Sequence, residues 1–120
     1  MKKDYRIKKS SEIETVMKRG YSKANPQFIV YKYANPKHPN FRLAISVGKK
    51  LGNAVTRNHI KRRIRAVITE HLADMDPKYD YFIIARKGIA DTDFPTFKGG
   101  LENLLTKMKI IPKPQITKRG

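Results

Sequence analysis

Arg57, Asn58, Lys61, Arg62 and Arg65 fall within nine consecutive positions, and each is a residue type that recognises an anion or a base. Arginine presents a planar fork that matches phosphate oxygens or base edges, lysine a compact point charge, and asparagine a donor and acceptor that can read a base. They belong to the stretch KKLGNAVTRNHIKRRIR, residues 49–65, which holds seven positive side chains and no negative one. That is the chemistry of binding a polyanion rather than of making or breaking a bond.

The charge of the whole chain points the same way. Its 120 residues carry 27 Lys and Arg against 10 Asp and Glu, a formal charge of +17, well beyond what keeps a small domain soluble. The acids are also segregated: residues 15–69 contain none, while carrying thirteen Lys or Arg. A solvated surface mixes its signs, so this stretch is a candidate nucleic-acid surface. A basic amphipathic helix could instead lie on an anionic membrane, but the apolar face here is narrow and needed by a core.

The elements that position these groups follow from periodicity. Asn53 or Thr56 can cap a helix running to about Asp74, with Ile60, Ile64, Val67, Ile68 and Leu72 as its core stripe. Stepping about 100° per residue places Arg57, Asn58, Lys61, Arg62 and Arg65 on one flank and Arg63 on the other. The first turn, at Arg57 and Asn58, offers exposed N–H groups and the positive end of the helix dipole to a phosphate. Lys49 and Lys50 precede that end.

Elsewhere, Ser11 and Glu14 form an S-x-x-E capping signature for a first helix over 11–19, with Ile13, Val16 and Met17 as its stripe and Gly20 as its stop. After a polar loop, QFIVYKY reads as a strand that is apolar on both faces. NPKHPN is a turn, and FRLAISVGKK a second strand. Its small Ala44 and Ser46 are expected to leave a shallow groove beside Tyr31 and Tyr33. YFIIARK reads as an interior strand, and residues 94–109 as a last helix through Phe97, Leu101, Leu104, Leu105 and Met108. The order α-β-β-α-β-α predicts an α+β fold, helices on a small mixed sheet. A parallel strand-helix-strand crossover through 41–87 is right-handed by default. Residues 1–112 are expected to be a single domain, nucleic-acid-binding by its charge. The end, IIPKPQITKRG, reads as loose, with 113–120 as a flexible basic tail.

Nothing in the chain demands an active site made of protein groups. His38, His59 and His71 show no metal-ligand spacing, cysteine is absent, and SVGKKLGN lacks the spacing of a phosphate-binding loop. Asp74 with Asp76, and Asp91 with Asp93, fit turns and helix ends. No metal site is expected. Absent cysteines, the lack of an apolar run of roughly 18 residues, and a start without an apolar centre suggest a cytoplasmic protein with no membrane partner.

The residues GNAVTRNHIKRRIR resemble the signature helix of the bacterial ribonuclease P protein family, whose pattern R-N-x-x-K-R-x-x-R is met by Arg57, Asn58, Lys61, Arg62 and Arg65. RIKKSSEI, QFIVY, LAISVGKK and DYFIIARKG occupy the family's other positions, so the similarity covers nearly the whole chain. The signature's third residue, usually Arg, is His59 here. The resemblance implies an accessory subunit of the endoribonuclease that removes the 5′ leader of precursor tRNA, with catalysis by an RNA subunit and its Mg2+. It implies a ribosomal protein S5 domain 2-like fold with a left-handed βαβ crossover. It further implies that Lys49, Lys50, Asn53, Arg57, Asn58, Lys61, Arg62 and Arg65 face the RNA subunit. A cleft of Ile13, Met17, Phe28, Ile29 and Tyr31 is implied to hold the leader, although family members often have aromatics at the first two positions. No obligate protein partner is expected. The alternative is a structural RNA-binding protein, such as a ribosomal protein, without a role in cleavage.

Overall fold

The structure is a computed structural model that describes residues 5–89 and 92–112. In chain order its elements are α1 (Ser10–Arg19), β1 (Tyr21–Ala24), β2 (Phe28–Ala34), β3 (Arg42–Val47), α2 (Ala54–Glu70), β4 (Tyr79–Ala85) and α3 (Phe94–Lys107). Short 3₁₀ turns lie at Lys49–Leu51, Leu72–Asp74 and Lys87–Ile89. The strands form one mixed sheet in the order β1-β2-β4-β3, antiparallel except for the parallel pair β3 and β4. The chain is thus α+β.

The near-continuous apolar run in β4 fits its interior place, since a strand covered on both faces has no side to leave polar. α2 and α3 cover one face of the sheet, where Phe28, Val30, Leu43, Val47, Tyr81 and Ile83 join Ile64, Val67, Ile68, Phe97, Leu101, Leu104 and Leu105 in the main core. α1 covers part of the other face through Val16, which packs with Ile7, Ala44 and Phe82. The predicted helical stripes of α2 and α3 are those that enter the core, with Leu72 half-buried at the margin. α2 ends at Glu70, and the remaining predicted residues form a 3₁₀ turn.

Four sequence expectations need correction. The polar loop after Gly20 contains β1, whose residues YSKA are all exposed; an edge strand with no buried side chain has no alternation to reveal it. β2 and β3 are not neighbours, because β4 inserts between them; the space predicted beside Tyr31 and Tyr33 is filled by β4 residues Phe82 and Asp80, their register partners. The capping signature at Ser11 and Glu14 does not form. α1 starts at Ser10, Ser11 lies inside it, and its carbonyl accepts a bond from the Thr15 hydroxyl at 3.0 Å. Finally, Ile110 and Ile111, the start of the expected loose end, are buried against the main core. The proposed tail at 113–120 lies outside the described residues.

Gly20 ends α1 for a steric reason rather than a conformational one. A Cβ there would lie 2.4 Å from the Val16 carbonyl oxygen and 2.8 Å from that of Lys32, so only glycine lets the helix turn directly into β1. That contact helps set where α1 lies on the sheet.

Candidate nucleic-acid interface

α2 opens at the end of the sheet where β3 finishes. Asn53 Oδ1 accepts from the Thr56 N–H at 2.9 Å, and Gly52 holds φ at +139°, a region that favours glycine. Arg57 Nε donates back to the Gly52 carbonyl at 3.2 Å, which orients its guanidinium beside the helix start. Asn53 therefore serves as the helix cap first, with its carboxamide oxygen committed to that bond.

Along α2 the basic residues sort by exposure. Arg57, Lys61 and Arg65, spaced by four, form a half-buried row, while Asn58, His59 and Arg62 are exposed. Arg63 is different, as the flank assignment predicts. Its Nη1 donates to the Thr92 carbonyl at 3.2 Å, and its guanidinium lies 5.7 Å from the ring centroids of both Phe94 and Phe97. The fold uses Arg63, and none of the ion pairs among the described residues uses the other basic side chains of the row.

Two further cations escaped the sequence reading. Val47 pairs with Ala85 in the parallel register of β3 and β4, so the residues that follow each strand leave the sheet at the same end. Arg86 and Lys87 thereby lie at the same end of the sheet as Lys49 and Lys50, and all four are exposed, with Arg86 Nη1 donating to the Asn25 carbonyl at 3.0 Å. Only the parallel pairing reveals that neighbourhood, and neither segment shows it alone.

The α1 face of the sheet carries the expected aromatic surface, with one exception. Ile13, Tyr31, Tyr33 and Ile84 are partly buried around the Val16 and Phe82 cluster, and the Tyr31 ring stacks on Phe82 at 5.9 Å between centroids. Met17 is 43% exposed on α1, and Ile29 is half-buried on the same strand face as Tyr31. Phe28 is on the opposite face, fully buried and edge-to-face with Phe97 at 5.2 Å. It belongs to the core under α3 and has no surface to give a leader. Register also places Ser22 opposite Tyr31 and Ala24 opposite Ile29, so β1 adds small side chains beside this surface.

α1 is tied to this face by charge. Arg42 on β3 is buried and gives Nε to Asp80 Oδ1 at 3.0 Å and Nη2 to Asp80 Oδ2 at 2.8 Å. The same Nη2 reaches Glu12 Oε2 on α1 at 2.9 Å, and Asn35 Nδ2 donates to Asp80 Oδ2 at 2.9 Å. The hydrogen bond from Arg42 holds the Glu12 carboxyl below its ordinary pKa, despite burial acting the other way. Asp80 in turn raises the pKa of Arg42 further above that of a free arginine.

Of the other histidines and carboxylates singled out in the sequence, His71, Asp93 and Asp76 have structural partners. His71 Nε2 is 2.6 Å from Glu102 Oε2, Asp93 Oδ1 caps α3 through the Thr96 N–H at 2.8 Å, and Asp76 Oδ1 accepts from the Lys78 N–H at 2.9 Å. Asp91 lies outside the described residues. Among the described residues no helix is long and apolar enough to cross a membrane.

Comparison with known proteins identifies the family. The sequence pattern of the family described as Ribonuclease P matches residues 1–109. The Ribonuclease P protein component of a Bacillus cereus strain is 47% identical over 115 residues, spanning 94% of this chain and all of that one. The component from a Geobacillus strain is 49% identical over 107 residues, covering 89% of this chain and 92% of its own. Among solved structures, the Staphylococcus aureus RNase P protein superposes with a TM-score of 0.84 at 42% identity, over 90% of this chain and 98% of that one. The Thermotoga maritima RNase P protein superposes with a TM-score of 0.76 at 29% identity, over 85% and 96%. A ribosomal role is not favoured by these relatives, and the chain belongs to the ribonuclease P protein family, as a protein subunit of that ribonuclease.

Proposed function

We propose that this subunit holds RNA on two adjoining surfaces while an RNA subunit, with its Mg2+, performs the cleavage of the precursor tRNA leader. The basic flank of α2, with Lys49, Lys50, Arg57, Asn58, Lys61, Arg62 and Arg65, faces the RNA subunit. Ile13, Met17, Ile29 and Tyr31 take the single-stranded leader. The observation that carries the reading is the half-buried row Arg57, Lys61 and Arg65, a line of cations without acidic partners among the described residues. Backbone phosphates supply such partners and release counterions on binding.

A half-exposed Tyr31, backed by Phe82 and bordered by small β1 residues, suits stacking with an unpaired base. Ile13 and Met17 offer aliphatic and thioether contacts in place of rings, and Met17 adapts readily to differing bases. Arg86 and Lys87 extend the cationic rim at the sheet's end. No protein carboxylate or histidine is assigned a chemical step.

The test is cleavage at low magnesium. Purified protein added to the cognate RNA subunit and precursor tRNA is expected to raise 5′ cleavage, and protein alone is expected to cut nothing. An RNA subunit indifferent to the protein contradicts the accessory role; cleavage by nuclease-free protein alone contradicts the division of labour.

A further inference from the structure

The N-terminal segment brings one more cation to α2 than the signature contains. Residues before α1 pair with the edge strand β3: Arg6 bridges Leu43 in parallel, and the Ile7 N–H donates to the Leu43 carbonyl at 3.1 Å. This pinning fixes the Arg6 backbone at the β3 edge, while its side chain is exposed. Arg65 reaches the same edge from α2. Between them lies a depression of about 180 Å³, lined by Arg6, Ile7, Ile13, Ala44, Ile45 and Arg65 together with Leu43.

The lining is unusual in what it lacks. Five apolar residues and two arginines line it, and among the described residues no carboxylate does. None of the ion pairs among the described residues includes Arg6 or Arg65. Burial, and then the neighbouring charge of Arg6, makes the Arg65 cation harder to keep. A fold gains nothing from holding two like charges beside an apolar lining, but an anion placed between them removes the repulsion and satisfies both forks at once. The depression also lies between the two surfaces already assigned, since Ile13 belongs to the α1 face and Arg65 closes the basic row.

We propose that the Arg6 and Arg65 depression seats one nucleotide of a single-stranded RNA segment, its phosphodiester between the two guanidinium groups and its base or sugar against Ile13, Ala44 and Ile45. The seat rests on the proposed function and deepens it by naming where one strand crosses from the α2 flank to the α1 face. Strand polarity and base identity play no part in the geometry. The strand comes either from the leader or from a single-stranded segment of the RNA subunit, which share this chemistry.

The test compares wild type, Arg6→Ala, Arg65→Ala and the double variant as full chains, each with its fold checked by circular dichroism. Two salt dependences are measured: affinity for the RNA subunit, and affinity of the assembled holoenzyme for leader-bearing precursor tRNA relative to mature tRNA. Loss of one single-strand phosphate flattens the slope of log affinity against log salt by about 0.7. Each single variant is expected to flatten one of the two plots by up to that amount, and the double variant to lose no more than about 0.7 in total. Flattening in the leader-dependent plot names the leader as the source; flattening in the other plot names the RNA subunit. A precursor with an uncharged methylphosphonate at the seated position should then make Arg6→Ala silent in the leader case. Unchanged slopes in both plots overturn the seat, as does a double variant whose loss is the sum of two full phosphates. Failure of wild type to bind the RNA subunit at all would instead overturn the proposed function, and is read before any variant is compared.

Discussion

Arg42 and Asp80 are directly opposed on the parallel strands β3 and β4, and both nitrogens that Arg42 turns toward Asp80 bond to it, at 3.0 and 2.8 Å. The pair is buried, with the two residues 8% and 2% exposed, so neither charge can fall back on water if the other is removed. Arg42→Met or Asp80→Asn is therefore expected to destabilise the fold by about 3 to 5 kcal/mol. Urea denaturation monitored by circular dichroism measures this. A loss under 1 kcal/mol would mean that water replaces the missing partner.

Glu12 attaches α1 to that pair, and its attachment has a pH signature. Its carboxyl is depressed in the folded state by the Arg42 hydrogen bond, from an ordinary value of 4.5. A depressed acid contributes stability that is complete above its unfolded-state pKa and is lost as pH falls through the lower folded-state one. Wild type should thus be more stable than Glu12→Gln at neutral pH, with the gap closing below pH 4.5. Paired melts across pH 3 to 7 check this; a gap that widens in acid would reverse the sign.

Arg62 and Arg63 are adjacent in sequence and separate cleanly in role. Arg63→Ala should lower stability, because it removes the bond to the Thr92 carbonyl and the contact with Phe94 and Phe97, yet leave the salt dependence of RNA binding unchanged. Arg62→Ala should leave melting nearly unchanged and flatten the salt plot by about 0.7 to 0.9. Identical behaviour of the two variants would remove the distinction between a flank the fold uses and one it leaves over.

Phe28 and Tyr31 make a similar pair within one strand. Phe28→Ala, in the core under α3, should cost about 3 to 5 kcal/mol of stability. Tyr31→Ala, which removes a half-buried ring stacked on Phe82, should cost clearly less stability than Phe28→Ala while weakening leader-bearing precursor by about 1 to 3 kcal/mol. Melting curves and precursor affinities for both variants decide the matter. A Tyr31→Ala protein that binds precursor like wild type would exclude Tyr31 from the leader surface.

These contrasts also show what the sequence could and could not carry. The stripes of α2 and α3 were legible because each repeats at helical spacing across more than two turns, and the flank of Arg57, Lys61 and Arg65 follows by subtraction. Phe28 was grouped with Ile29 and Tyr31 by the family resemblance, whereas strand alternation puts it on the opposite face from both, the face that meets the core. β1 was invisible because its side chains are all exposed. Arg86 with Lys87, and Arg6 with Arg65, needed the parallel register of β3 and β4 and the pairing of Arg6 with Leu43. Both neighbourhoods join segments distant in sequence, and periodicity carries no information about which strands become neighbours.

The central claim is that the protein adds a grip on the leader and not merely charge. The direct measurement is the affinity of the RNA subunit for leader-bearing precursor tRNA and for mature tRNA, each with and without the protein. The account predicts that adding the protein strengthens precursor binding selectively, and that Tyr31→Ala reduces this gain while Arg63→Ala, in folded protein, does not. Equal strengthening of both tRNAs, unaltered by Tyr31→Ala, would contradict it.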